Sequence, residues 1–204
     1  MHGKNQDLSM NKIFYYTLSI ILLMGLGASW VIQKARFSHD LPVIKLVPDF
    51  SFTNQYGEIF TQDNLRGKVS VLDFFFTSCA GPCPIMTYNM KELYNDFSQI
   101  NEVQFISITV DPILDTKLKL KEYAEIQGVY DKRWQFLFSD LEQIKNLKKN
   151  GFMLYADQLP QGHAIKFILI DENGKIRKYF DGTDDASQAV LRENITHLLR
   201  NFKS

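Results

Sequence analysis

Val69-Ser70-Val71-Leu72-Asp73-Phe74-Phe75-Phe76-Thr77-Ser78-Cys79-Ala80-Gly81-Pro82-Cys83-Pro84 is the stretch on which the reading of this chain turns. Its first half, Val69 to Phe76, is β-branched and aromatic with almost no polar relief, the pattern of a strand buried on both faces of a sheet. Its second half puts Gly81 and Pro82 in a tight loop and Pro84 near the start of a helix, where proline's missing N–H is no loss. Backbone N–H groups and the positive end of a helix dipole meet there, an environment that lowers a thiol pKa and favours thiolate. Two sulfurs at i and i+4 can turn towards one point, either bonding to each other or gripping one metal ion.

Downstream, Met86, Met90, Leu93, Phe97 and Ile100 recur at helical spacing and predict a helix with one inward face. Val103–Val110 then reads as a strand, Thr116–Gln127 as a helix closed by Gly128, Trp134–Ser139 as a strand and Leu141–Asn150 as a helix closed by Gly151. Ala164–Asp171 and Lys175–Asp181 are apolar-rich strands joined through Asn173-Gly174, a strong hairpin signal. Ala186–Phe202 supplies a last helix with Val190, Leu191, Ile195, Leu198 and Phe202 inward. Upstream, Leu41 to Phe60 alternates around a turn at Asn54–Gly57 and predicts an N-terminal β-hairpin covering one sheet edge. Parallel strands with right-handed crossovers, then an antiparallel hairpin and a closing helix, give an α/β class with a central mixed sheet flanked by helices, in thioredoxin-like order.

Further upstream, Ile13 to Ile32 carries no charge over 20 residues, about 30 Å of helix, and reads as a single transmembrane helix. A cleaved signal peptide ending near Ala28 and Ser29 is the competing reading. The expected organisation is a short tail over 1–12, an anchor over 13–32, a polar linker over 33–40 and one domain over 41–204. Lys4 and Lys12 precede the span while Lys34 and Arg36 follow it, so charge does not set its orientation. The first 12 residues hold no arginine and no Ser-rich amphipathic stretch, which favours a bacterial inner membrane over a mitochondrial one; the placement of the domain on the periplasmic side comes from function and not from charge.

Length and charge exclude much else. With 204 residues there is no room for a second catalytic domain, and 23 basic residues against 23 acidic ones, without a basic cluster, argue against nucleic acid as a partner. The 2 cysteines are a local pair and cannot form the framework of a small secreted scaffold. An inert disulfide of so short a loop closes little entropy, and structural zinc wants four protein ligands.

Of the 4 histidines, His163 matters most, because it lies just before the strand Ala164–Asp171. In a thioredoxin-like layout the loop entering that strand packs against the cysteine loop, so His163 is expected to approach both sulfurs. Two thiolates and one imidazole make a site soft enough for Cu(I) that also accepts Cu(II). His2, His39 and His197 have no chemical neighbours in sequence, and Met86 and Met90 lie on the apolar helix face, which assigns them to the core rather than to a metal.

The run Phe75-Phe76-Thr77-Ser78-Cys79-x-x-x-Cys83-Pro84, then Val110-Asp111-Pro112 with Asp115-Thr116, then His163 leading into Phe167-x-Leu169-Ile170-Asp171-x-x-Gly174, resembles the Sco/SenC family of cytochrome c oxidase assembly proteins. The resemblance runs from about Pro48 to the C-terminus. It implies a copper metallochaperone, anchored by one N-terminal helix, whose metal ligands are Cys79, Cys83 and His163. It also implies cytochrome c oxidase subunit II as the copper acceptor, together with a copper donor or a thiol reductant. Asp111 would end a strand, with a part in docking or in supporting the site. The chain departs from the pattern at Gly162, where many relatives carry an acidic residue.

A second function stays open. As a thiol-disulfide oxidoreductase the chain would be an enzyme that keeps the oxidase copper-site cysteines reduced, with Cys79 and Cys83 as the catalytic redox pair. The three-residue spacing, against two in thioredoxins, favours copper. A peroxidase is a weaker option, because no arginine is placed to activate a thiolate.

Overall fold

The computed structural model describes residues 15–30, 41–160 and 164–202. Contacts divide the chain into two units, Met1–Asp40 and Leu41–Ser204. In the first, residues 15–30 form a helix, α1, with exposed side chains. The transmembrane helix expected over Ile13–Ile32 is not found among the described residues, none of whose helices is long and apolar enough to cross a membrane. Residues 13, 14, 31 and 32 of that span lie outside the described residues.

In the second unit the strands β1 (Lys45–Leu46), β2 (Ser51–Asn54), β3 (Ile59–Thr61), β4 (Val69–Phe75), β5 (Val103–Thr109), β6 (Trp134–Phe138), β7 (Lys166–Ile170) and β8 (Lys175–Asp181) join into one sheet. Their order is β1-β8-β7-β4-β5-β6-β2-β3. Only β4, β5 and β6 run parallel to one another, and every other pairing is antiparallel. The helices are α2 (Cys83–Asp96), α3 (Lys117–Ile126), α4 (Leu141–Asn146) and α5 (Asp185–Phe202).

All seven residues of β4 are buried, as its unrelieved apolar run predicts, and they alternate between two core layers. Val71 and Phe75 face a layer built with Met86, Met90 and Leu93 of α2 and Leu191, Ile195 and Leu198 of α5. Leu72 and Phe74 face the other layer, with Ile144, Leu147 and Phe152. Full burial of each such side chain contributes about 1.5–3 kcal/mol, so α2 is pinned along its length and the cysteine loop at its head starts from a rigid base.

The expected hairpins are present. Asn54 closes β2–β3 by accepting the Tyr56 and Glu58 N–H groups on its side-chain oxygen at 3.0 and 2.9 Å. In the β7–β8 turn Asp171 Oδ1 accepts from the Asn173 and Lys175 N–H groups, and Gly174 takes φ +75°, a conformation costly for residues with a Cβ. β2 and β3 cover the β6 edge, while β1, whose two residues are exposed and pair through main chain alone, was invisible to hydropathy. The helix expected over Leu141–Asn150 ends at Asn146 and passes into a wider π turn over Leu147–Gly151. That turn carries Leu147 inward and buries Lys148 with its ammonium 5.5 Å from the Phe74 ring centroid.

Candidate functional site

The site sits where β4 runs out and α2 begins. Phe76 leaves the sheet, the Cys79 N–H donates to the Phe76 carbonyl at 3.3 Å, and Met86 N–H donates to Pro82 O at 3.0 Å to open the helix. Pro82 at the N-cap provides no side-chain cap, so α2 presents uncapped backbone donors at the cysteine loop. Cys83 is the first helical residue and 2 % exposed, whereas Cys79 is only half-buried. Both are thiols, hydrogen-bonded to each other.

Helix position would lower a thiol pKa, but Cys83 shows the reverse. Burial, then the hydrogen bond with Cys79, push its pKa up, and a backbone hydrogen bond from Phe76 offsets only part of this. Desolvation wins because Cys83 is buried in the core layer with Phe75 and Met86. Burial thus favours the protonated thiol at Cys83 over the thiolate that its helix position would favour, and a cation taking the proton's place would offset that desolvation.

Two buried carboxylates to which the sequence reading gave no role belong to this end of the sheet. Asp115, fully buried, accepts the Thr77 N–H at 3.0 Å and the Thr77 hydroxyl at 2.5 Å, and also the Thr109 hydroxyl at 2.5 Å. Lys119 Nζ stands 3.9 Å from it. Asp115 therefore ties the end of β5 to the residue two before Cys79. Asp111, the acid singled out from the sequence, shapes that turn instead: its carbonyl accepts the Asp115 N–H at 2.9 Å. The signal for Asp115 was the Asp-Thr pair itself, but only the fold brings Thr77 to it.

Asp73 lies in β4 on the cysteine face, 2 % exposed, with Oδ1 lacking a partner among the described residues. Burial raises its pKa to about 7, partly countered by a Ser107 hydrogen bond. Its unfolded value is about 3.9, so between about pH 4 and pH 7 the unfolded chain binds fewer protons and stability falls as pH rises. Asp73→Asn is expected to leave the stability of the metal-free protein nearly unchanged near pH 4 and to raise it by a few kcal/mol, on the order of 2–4, near pH 8. Urea melts at the two pH values check this, and an equal effect at both removes the ionisation argument.

A groove of about 340 Å³ opens beside the sulfurs between α2 and α3, lined among others by Cys79, Cys83, Thr87, Lys91, Tyr123 and Gln127. The Thr87 and Tyr123 hydroxyls are 2.9 Å apart. His163, the third expected ligand, lies outside the described residues, and among these no group of three potential ligands comes together. His197 is on α5, and Met86 and Met90 are buried in the core, as expected for both.

A mixed sheet with a dithiol at the head of the helix after its central strand defines a thioredoxin-like protein of the cysteine-pair type. Residues 40–200 match SCO1/SenC, and the chain belongs to that family. An SCO2-like protein of Rickettsia conorii is 31% identical over 189 residues, covering 83% of this chain and 90% of its own. A SCO1/SenC family lipoprotein from Bacillus anthracis superposes with TM-score 0.72 at 34% identity, over 78% of this chain and 98% of that one. BsSco, described as a member of the Sco family of cytochrome c oxidase assembly proteins with a disulfide switch, does so with TM-score 0.68 at 26% identity, over 77% and 95%. A copper-bound ScoI of Bradyrhizobium japonicum, 24% identical with TM-score 0.61 over 72% and 98%, shares the fold.

Proposed function

We propose that this chain is a copper metallochaperone of respiratory-oxidase assembly, holding copper through Cys79, Cys83 and His163 and releasing it to the copper site of cytochrome c oxidase subunit II. The observation that carries the reading is the meeting of both thiols, in hydrogen-bond contact, at the rim of an open groove. A soft cation that displaces their protons finds two sulfurs already converged. Support for His163 comes from register: β7 runs antiparallel to β4 with Leu72 opposite Ile168, so the chain entering β7 starts from the cysteine end of the sheet. Relatives described as Sco assembly proteins and a copper-bound neighbour support oxidase assembly and copper. The uncharged run Ile13–Ile32 is read as a single-pass inner-membrane anchor, followed by a linker to residue 40 and a periplasmic domain over 41–204.

A second reading, a thiol-disulfide oxidoreductase acting on the oxidase cysteines, is favoured by the asymmetry of the pair. Half-exposed Cys79 can be reached by a partner while buried Cys83 resolves a mixed disulfide.

Anaerobic titration of the reduced protein with Cu(I) and Cu(II) tests both. One tight copper per chain, weakened in His163→Ala with a shifted sulfur-to-copper charge-transfer band, is the expected result. No tight copper, alongside a readily reversible Cys79–Cys83 bridge, would establish the oxidoreductase instead.

A further inference from the structure

We propose that the groove between α2 and α3 seats an extended segment of the protein that exchanges copper with this chain, its thiol at the cysteine end and a carboxylate at Lys91. The proposal rests on the copper-transfer reading above and adds the chemistry of the partner.

The groove is directional. Cys83, Thr87 and Lys91 recur every four residues along α2 and all line it, so they form a ladder on one helix face. Tyr123 and Gln127, also four apart, line it from α3 and its C-cap. The backbone path from Cys83 to Lys91 is about 12 Å at 1.5 Å per residue. An extended chain at about 3.3 Å per residue covers that distance in three to four residues. A segment whose cysteine reaches the copper therefore carries its neighbours down the groove to Lys91.

The lining states what those neighbours are. Lys91 is the one charged residue of the groove among the described residues, is half-buried, and takes part in none of their ion pairs. A cation held at the end of a cleft without an anion favours a carboxylate from the occupant. Between the two ends the Thr87 and Tyr123 hydroxyls, bonded to each other, keep one O–H and free lone pairs between them, and with the Gln127 amide they offer polar partners of the kind a peptide backbone uses, beside the apolar faces of Phe76, Pro84 and Tyr88. The groove's volume lies at the small end of ligand clefts, the size of a short strand of chain and not of a folded surface.

Exchange along this path is balanced without a redox partner. Each incoming thiol gives up its proton as it forms a bond to copper, and each outgoing cysteine of this chain takes up a proton as its bond to copper breaks. Copper stays Cu(I) throughout.

The test uses short capped dithiol peptides that differ only in carrying Glu, Gln or Lys three residues beyond a cysteine, titrated into the metal-free full chain in detergent and followed by NMR. The Glu peptide is expected to bind about fivefold more tightly than the Gln peptide at low salt, the Lys peptide more weakly still, with shifts at Thr87, Lys91 and Gln127. Lys91→Glu should invert the order, and rates of Cu(I) transfer from the loaded chain should follow it. Copper affinity measured against a chelator should be the same in wild type and Lys91→Glu, so a chain that binds no copper fails the metallochaperone reading while the metal-free titration still decides the groove. Equal binding of the three peptides, the same order surviving Lys91→Glu, or glutathione binding as tightly as the Glu peptide would overturn the proposal.

Discussion

Replacing Cys79 and Cys83 together by alanine is expected to abolish tight copper binding, and in the wild-type protein the apparent affinity is expected to climb by about tenfold for each unit of pH between about 6 and 8 for every thiol proton displaced. The pH slope follows from one fact. Cys83 is buried and hydrogen-bonded to Cys79, and desolvation lifts its pKa above the ordinary thiol range. On the metallochaperone reading, copper displaces a proton from this sulfur across the neutral range. Raising the pH removes the competitor, so affinity rises with pH and does not fall. Single loss of Cys83 is expected to cost on the order of a thousandfold, about 4 kcal/mol, the share of one ligand among three if the whole site is worth roughly 10–16 kcal/mol. Chelator competition at several pH values reads both the slope and the loss. A flat profile would mean that both sulfurs are thiolates before copper arrives and that burial does not govern Cys83.

The second large effect falls on a residue that touches no metal. Asp115→Ala leaves the Thr77 N–H, the Thr77 hydroxyl and the Thr109 hydroxyl without their acceptor, and leaves Lys119 without its carboxylate. Each buried donor so stranded costs about 1–3 kcal/mol, partly recovered where water enters the space vacated by the carboxylate, for a net loss of about 3 kcal/mol. A domain of this size should melt roughly 6–12 °C lower. Because Thr77 is two residues before Cys79, the cysteine loop loosens as well, and the copper off-rate is expected to rise in protein that is still folded. Thr77→Ser keeps both hydrogen bonds and should behave as wild type, whereas Thr77→Val keeps only the N–H bond and should fall between. Thermal melts paired with copper off-rates decide it: Asp115→Ala with an unchanged melting temperature would show that the carboxylate carries no load.

Sequence alone determined most of the sheet and its helices, β1 and the end of α4 excepted, because the evidence for them is local. The apolar run of β4 reports burial on both faces by composition, the spacing of Met86, Met90 and Leu93 reports a helix face, and Asn173-Gly174 reports a turn that few other pairs would make. It also showed that Cys79 and Cys83 can turn towards one point, four residues apart across a strand-to-helix junction, and the structure has them hydrogen-bonded to each other. Tertiary structure decided what local pattern does not carry. That burial raises the Cys83 pKa depends on what covers it, so the helix-dipole argument, correct in kind, was outweighed by desolvation. That Asp115 and not Asp111 supports the cysteine loop depends on β5 lying beside β4, a contact 38 residues apart in the chain. That Lys91 shares a groove with the two sulfurs depends on how α2 and α3 pack on the sheet. Burial and long-range pairing are sums over neighbours that only the folded chain assembles, and in this protein they set the protonation and the surroundings of a site whose two sulfurs could be read from a single loop.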